Sequence, residues 1–345
     1  MRRLLAGAVA MVALFAAGAA FPCGASFGTN VTVDPHQDII VVWKDGVETY
    51  VFQPTFCGSS TDFGLVLPVP APLSQPPSLA DQQAFTTAVA LSEPTKRQVS
   101  EQSGIGCGGN DASLKSGGAA DDTPTVVASG RVGFLDWTQL KADTVKSLTD
   151  WLTNNGYPYS QDATEVFGYY VKKAWYFIAF RVSPGAVSGG GSNCQALGPV
   201  ALGFPTATPV IPSRMATAVG TGTRFSWRIF GITHGDVQLS LPGASDQYRG
   251  LWYSGAIAIQ DAASFAGLAE AGDRLTRLTL SFYAASGTED AALTVAPVQD
   301  YRGTVDVVVH DDSACALGHH RIPHGGILSL FGLAMVGLFC WRRWR

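Results

Sequence analysis

Ala174-Trp175-Tyr176-Phe177-Ile178-Ala179-Phe180-Arg181-Val182 is nearly all apolar and aromatic. Such a run reads as a central strand covered on both faces, so the chain needs layers on either side of a sheet. Downstream strands alternate instead. Phe225, Trp227 and Ile229 interleave with Arg224, Ser226 and Arg228; Leu278, Leu280 and Phe282 with Thr279 and Ser281; Val305, Val307 and Val309 form a last set. Upstream, Asp38 to Trp43 and Val47 to Gln53 flank Lys44-Asp45-Gly46, a hairpin signal because Asp-Gly accepts positive φ. Asp62 to Val69 is a strand that ends in Pro68-Val69-Pro70-Ala71-Pro72, where missing N–H groups stop the ladder. Thr125 to Phe134 is strand-like.

Helical signals are fewer. Ser78 to Leu91 carries a cap at Ser78, Asp81 at its positive end, an apolar face of Phe85, Ala88 and Val89, and a stop at Pro94. Asp143 to Asn155 is capped by Asp143, buries Val145, Leu148, Trp151 and Leu152, and ends at Gly156. Asp162-Ala163-Thr164-Glu165 resembles a capping box that opens a short helix toward Val171. Asp261 to Ala271 reads as one more, closed by Gly272. Strands dominate and helices do not alternate strictly with them, so the fold class is α+β, mainly antiparallel sheet with three or four short helices. The polar, Gly-rich stretch Gly104 to Asp122 reads as a mobile loop. Lobes at 21–103 and 123–312 joined by 104–122, or a single composite domain, fit the composition equally.

The ends specify location. Met1-Arg2-Arg3, the apolar run Leu4 to Ala20 and the small residues Ala17, Ala19 and Ala20 make residues 1–20 a secretory signal peptide, cleaved before Phe21. Pro22 directly before Cys23 argues against lipidation. Residues 313–326 form a small-residue and His spacer. Ile327 to Trp341 is apolar; as a helix its 15 residues cover about 22 Å against a hydrocarbon core of about 30 Å. Arg342, Arg343 and Arg345 place the 342–345 end in the cytoplasm by the positive-inside tendency. Cysteine, spacer, apolar helix and terminal arginines resemble the C-terminal sorting tails of myxobacterial surface proteins, which implies processing at Cys315. An ordinary single-pass anchor is the alternative.

Setting aside the five arginines of the two ends leaves 18 of the 23 basic residues against 27 acidic ones, a balance of −9. An acidic body without Lys/Arg runs excludes nucleic acid as a partner. Of the six cysteines, Cys340 lies in the apolar tail, and Cys23, Cys57, Cys107 and Cys194 are the disulfide candidates of an oxidising compartment. Three connectivities are open. Cys23 with Cys57 and Cys107 with Cys194 is preferred, because Cys107 and Cys194 sit in Gly-rich loops that can reach one another.

Catalytic motifs lack their context. Gly24-Ala25-Ser26-Phe27-Gly28 matches G-x-S-x-G, but no strand precedes it to build a nucleophile elbow. Gly104-Ile105-Gly106-Cys107-Gly108-Gly109 matches G-x-G-x-x-G in a polar loop rather than between strand and helix. Cys315, His319, His320 and His324 have zinc or copper ligand chemistry, though Pro323 breaks the helix that would align His320 with His324. Trp175, Tyr176, Phe177 and Phe180 read as core rather than a sugar platform, and Trp252-Tyr253 is the better candidate for exposed aromatics.

Four segments together resemble an uncharacterised bacterial family, domain of unknown function family 2330. They are Cys23-Gly24, Asp62-Phe63-Gly64-Leu65-Val66-Leu67-Pro68-Val69-Pro70, Trp151-Leu152-Thr153-Asn154-Asn155-Gly156-Tyr157, and Val210-Ile211-Pro212-Ser213-Arg214-Met215-Ala216-Thr217-Ala218. The resemblance runs from about Cys23 to about Thr233, with Leu65 standing where the family has an aromatic. It implies a secreted or envelope protein and transfers no catalytic residue.

The expected function is therefore a non-enzymatic cell-envelope protein, exported, held by its tail in the membrane or released to the cell surface by a sorting protease. It binds or scaffolds an extracytoplasmic ligand and needs no cofactor. One alternative is an envelope hydrolase using carboxylates such as Asp306, Asp311 and Asp312 near His310. Another is metal handling by the segment Cys315 to His324.

Overall fold

The computed structural model describes residues 25–27, 31–33, 35–58, 64–99, 123–157, 159–182, 194–219, 223–240 and 248–308. The chain divides into a large unit, Met1–Arg97 with Ile105–Asp306, and a small one, Gln98–Gly104 with Val307–Arg345. The architecture below is that of the large unit. Of the small unit the described residues are Gln98, Val99, Val307 and Val308. The signal peptide 1–20, loop 104–122, spacer 313–326, apolar tail 327–341 and arginines 342–345 lie outside the described residues. Among the described residues no helix is long and apolar enough to cross a membrane.

Two large sheets carry the fold. The five-stranded sheet runs β1 (Ala25–Phe27), β6 (Gly64–Val69), β11 (Tyr176–Val182), β10 (Leu135–Lys141), β9 (Thr125–Val132), antiparallel throughout. The eight-stranded sheet runs β20 (Tyr301–Arg302), β17 (Tyr248–Ala256), β18 (Arg274–Tyr283), β15 (Arg224–Thr233), β3 (His36–Lys44), β4 (Val47–Phe52), β13 (Val200–Pro205), β7 (Ser78–Leu79). Its one parallel pairing is β15 with β3. Three small sheets complete the described strands: β12 (Cys194–Ala196), β5 (Thr55–Gly58), β2 (Val31–Val33); then β14 (Val210–Ile211), β19 (Ala291–Ala296), β16 (Asp236–Ser240); and finally β21 (Thr304–Val308) with β8 (Thr95–Val99). The stretches before and after 104–122 share both large sheets.

The period-2 pattern explains the layering. Ile178, Phe180 and Val182 of β11 meet Ile39 and Val41 of β3, Tyr50 and Phe52 of β4, and Phe225, Trp227 and Ile229 of β15 in one apolar core between the large sheets. The opposite face of β11, Phe177 and Ala179, packs on α2 (Val145–Asn154) and α3 (Gln161–Lys172) through Leu148, Leu152, Val166, Phe167 and Tyr170. The opposite face of β3 and β15, Ile40, Val42, Phe230 and Ile232, packs on Ala84, Phe85 and Ala88 of α1 (Gln82–Leu91) and on Phe265. Helices therefore cover both outer faces of a two-sheet sandwich, and β11 is a central strand buried on both sides, as its composition predicts.

Local signals hold with shifts. Asp45 (φ 50°) and Gly46 (φ 77°) turn β3 into β4 as a hairpin. α1 is capped by Asp81, whose carboxylate accepts from Gln83 N–H at 2.8 Å, while Ser78 belongs to β7. Thr144, not Asp143, caps α2, and Ser160, not Asp162, caps α3, with Asp162 in its first turn. The helix expected over Asp261 to Ala271 is instead α4 (Ile259–Ala262) followed by a 3-10 turn at Ala263–Phe265, because Ala266 and Gly267 adopt positive φ and end it. β10 has no counterpart in the sequence reading. Leu135 and Trp137 face the inter-sheet core while Leu140 faces the helices, so Gln139 and Leu140 are buried in succession and a simple apolar–polar alternation is lost; the bulge in its pairing with β9 falls at Val127 of β9.

Gly64 on β6 is required by close approach. A Cβ there would lie 2.5 Å from the Tyr157 ring and 2.9 Å from the Phe180 carbonyl oxygen. Tyr157 in turn stacks on Trp151, centroids 5.7 Å apart. Gly64→Ala is expected to destabilise by about 1–3 kcal/mol through overpacking, read as a lower urea midpoint with unchanged slope.

Candidate functional site

The most chemically loaded region lies where α3 ends, β11 begins, and the 3-10 turn Ser213–Val219 meets the segment before β19. Three of the segments that carry the family resemblance converge beside β6: Gly64 to Pro70, Trp151 to Tyr157, and Val210 to Ala218.

Ser160 ties α3 to the 3-10 turn. Its Oγ accepts from Ala163 N–H at 3.3 Å and donates to the Ala218 carbonyl at 3.0 Å. The helix then presents Tyr170 inward and Tyr169 toward the rim. Ala174 (φ 56°) reverses the chain into β11 and brings Trp175 back over Tyr170, ring centroids 5.2 Å apart.

Asp290, almost wholly buried, is the hub. Its Oδ1 accepts from Tyr170 Oη at 2.6 Å and from Arg214 N–H at 3.1 Å, and Tyr170 Oη accepts from Met215 N–H at 3.0 Å. Ser213 Oγ accepts from Ala291 N–H at 2.8 Å, closing the brace. Asp290 Oδ2 makes no hydrogen bond, and Lys173 Nζ stands 3.9 Å from it. Burial pushes the Asp290 carboxyl up to about 6, against the opposing pull of Tyr170, the Arg214 N–H and the Lys173 charge. Burial, then the Asp290 charge, raises the Tyr170 phenol as well, so it remains a donor.

Toward solvent the same elements form a strip of cations laid on rings. The Arg214 guanidinium sits 4.5 Å from the Tyr169 centroid; Lys173 Nζ is 4.2 Å from Tyr169 and 5.5 Å from Trp175; Lys141 Nζ is 4.5 Å from Tyr176. Acids balance it. Tyr169 Oη donates to Glu289 at 2.6 Å, Lys173 lies 3.7 Å from Glu289, and Arg214 lies 3.3 Å from exposed Glu165.

Beside the strip, Tyr50, Pro68, Trp175, Phe204, Val210 and Pro212 line an apolar crevice of about 190 Å³, open solvent included. Small-molecule pockets run roughly 300–1,000 Å³, so this is a packing seam. Glu48 of β4 lies close by, wholly buried, its Oε2 accepting from Val210 N–H at 2.9 Å. Burial raises its pKa, with the Val210 N–H opposing.

The residues singled out by sequence fall elsewhere. Ser26 is mid-strand in β1 opposite Leu65, and the next described element is the strand β2 rather than the helix a nucleophile elbow opens. Asp306 on β21 is held bidentately by Arg97 at 2.7 and 2.9 Å on an exposed surface, and the Arg97 hydrogen bonds keep its pKa low. A carboxylate so engaged is a poor general base. His310, Asp311, Asp312, Cys315, His319, His320, His324, Cys23 and Cys107, and the Gly104 to Gly109 motif, lie outside the described residues. Cys57 and Cys194 are described in backbone, as register partners on β5 and β12. Among the described residues no three His, Cys, Asp or Glu gather as a metal site. Phe177 and Phe180 are fully buried, whereas Trp175 and Tyr176 remain partly open to the surface. Tyr253 lies under the Arg302 guanidinium at 4.7 Å.

Sequence reasoning missed the Tyr170–Asp290 hub. Its partners are 120 residues apart, and the one local signal was the aromatic pair Tyr169-Tyr170 closing a helix. It also missed a second set, in which buried Arg274 donates to Asp236 at 2.9 Å and to exposed Asp300 at 2.7 Å, with buried Ser254 bonded to Asp236. Burial opposes ionisation of Asp236, but Ser254, the Gln299 N–H and Arg274 together hold its pKa below the usual value. That set joins β16, β17 and β18.

No curated protein matches the chain. Among solved structures, the crystal structure of baculovirus P35 is similar over 78% of this chain and 97% of that one, at 7% identity and a TM-score of 0.32. The family described as an uncharacterized protein conserved in bacteria (DUF2330) matches residues 16–308, most of the chain, and the protein belongs to it.

Proposed function

We propose that this protein is a non-enzymatic cell-envelope protein, exported by residues 1–20 and held or sorted by residues 313–345. It engages an extracytoplasmic partner through the strip Tyr169, Lys173, Trp175, Tyr176 and Arg214. The observation that supports this best is the composition of the strip. Arginine and large aromatics dominate the energetics of protein interfaces, and here they lie partly open on rigid elements with their charges matched by Glu165 and Glu289. The adjoining crevice is too small for a metabolite-sized ligand.

Two measurements test the reading. Intact mass of the protein recovered from host envelopes should begin near Phe21 and end near Cys315 or at Arg345; a mass including Met1, found in the soluble cytoplasm, overturns export. A photo-crosslinking residue at exposed Lys172, beside the strip, should trap a partner in intact cells, and Trp175→Ala with Lys173→Ala should abolish the adduct while the protein still unfolds cooperatively well above the growth temperature. An adduct unchanged by those substitutions removes the strip from the interface.

Among the described residues a hydrolase reading has its candidate in Asp290, whose carboxyl is raised to about 6; Asp311 and Asp312 lie outside them. It requires turnover by the purified body that Asp290→Asn abolishes without lowering the melting temperature.

A further inference from the structure

We infer that Cys57 and Cys194 are joined to each other by a disulfide that staples β5 to β12. This replaces the pairing of Cys57 with Cys23 and of Cys194 with Cys107, and it rests on the export reading for the oxidising compartment in which the bond forms.

The inference stands on register. β5 and β12 are antiparallel, with Cys57 directly opposite Cys194, Phe56 opposite Gln195, and Thr55 opposite Ala196. The same register continues one residue beyond the strands, where Leu197 N–H donates to the Pro54 carbonyl at 3.0 Å. It then passes, offset by one residue, into the longer ladder of β4 with β13, from Val200 opposite Phe52 to Pro205 opposite Val47. That lower ladder cannot slip. Moving it by one residue would turn Phe52, Val200, Leu202 and Phe204 out of the inter-sheet core, where each is at most 2% exposed. The packed ladder anchors both strands, and across the one-residue offset the pairing of Thr55 with Ala196, Phe56 with Gln195 and the Leu197 N–H to Pro54 bond set which residue meets Cys57.

Directly opposed residues of an antiparallel pair have Cα atoms about 4.5–5.5 Å apart, inside the roughly 4.4–6.8 Å span of disulfides. Cβ atoms of such pairs lie about 4.5–5.5 Å apart, so closing the bond takes a local adjustment of no more than about 1–2 Å toward the usual 3.5–4.5 Å. The loop it closes runs from residue 57 to residue 194 and contains α1, α2, α3 and most of the five-stranded sheet, so it ties together segments whose contacts are non-local. The chemistry balances with an exchangeable disulfide as oxidant: the two cysteine thiols lose two protons and two electrons, one S–S bond forms, and the oxidant is reduced to two thiols.

Trypsin separates the two cysteines cleanly. Asp45 to Lys96 contains Cys57 as its one cysteine, and Val182 to Arg214 contains Cys194 as its one cysteine. The experiment takes the full chain from host envelopes, and in parallel the full chain made reduced and then equilibrated with a glutathione redox buffer, each alkylated before non-reducing digestion. The expected result in both is one linked peptide, Asp45–Lys96 with Val182–Arg214, that separates on reduction. Formation in the glutathione buffer but not in cells leaves the pairing standing and overturns export. Linkage of either peptide to one carrying Cys23 or Cys107, or alkylated Cys57 and Cys194 in the buffer arm, overturns the pairing. Cys57→Ala, Cys194→Ala and the double variant should each lose the same roughly 5–15 °C of melting temperature. Additive losses would mean that the two cysteines act independently, against the bond.

Discussion

Trp227→Ala is expected to lower stability by about 4 kcal/mol, within the range for emptying a large aromatic site in a rigid core. Trp227 is fully buried at the centre of the apolar layer between the two large sheets. Its ring meets Phe282 edge-on with centroids 4.9 Å apart and Phe225 at 6.1 Å. Its strand, β15, is held on one side by β18 and on the other by the parallel partner β3. Neighbours fixed by two sheets cannot collapse into the vacated volume, so the cavity cost adds to the lost burial. The indole Nε1 is buried without a hydrogen bond, so Trp227→Phe forfeits shape but no polar partner and should cost about 1–2 kcal/mol. Urea titrations of the two variants check both values. For alanine the melting temperature should fall by roughly 8–16 °C; a fall no greater than that of the Phe variant would mean that the two sheets close over the gap.

The second large effect is a pH dependence centred on Asp290. Its carboxyl titrates at about 6 in the folded protein, against 3.8 for the ordinary group. Between those values the folded state binds the proton that the unfolded chain releases, so stability falls as pH rises from about 4 to about 6. Above that window the cost of keeping the buried carboxylate charged is complete, on the order of 3 kcal/mol. Asp290→Asn keeps an oxygen for Tyr170 and the Arg214 N–H and removes the titration. Its stability relative to the parent should therefore improve by about that amount between pH 4 and pH 8. A difference that stays flat across the window would show that Asp290 is not the titrating group. Glu48, raised by burial, contributes with the same sign to the parent and to the variant; subtracting the two profiles removes it. Lys173→Met should steepen the parental decline, since the Lys173 charge opposes the upward shift.

The hub shows how much of a site such as this can be read from sequence. Ser160, Tyr169, Tyr170, Lys173, Ser213, Arg214 and Asp290 are polar or aromatic residues with unremarkable neighbours in the chain. Nothing in their local spacing reports that Asp290 is buried or that its carboxylate receives a backbone N–H of the 3-10 turn. Those facts arise because β19 pairs with β14 and β16, placing Asp290 beside a helix that closes 120 residues earlier. The resemblance segment Val210 to Ala218 pointed to the right stretch of chain, but for reasons of packing rather than chemistry.

What sequence determined by itself is what neighbouring residues enforce. Asp45-Gly46 makes the hairpin because its φ angles must be positive, the apolar run from Ala174 makes β11 because both its faces need cover, and the face of Leu148, Trp151 and Leu152 makes α2. The tertiary structure alone decided the rest: that two sheets stack, that β3 lies parallel to β15, that β10 joins β9 to β11, and that Cys57 stands opposite Cys194 in register. The reason is physical. Periodicity records how much apolar surface a segment must bury, whereas the choice of what buries it is made among residues distant in the chain, by the fit of whole faces against one another.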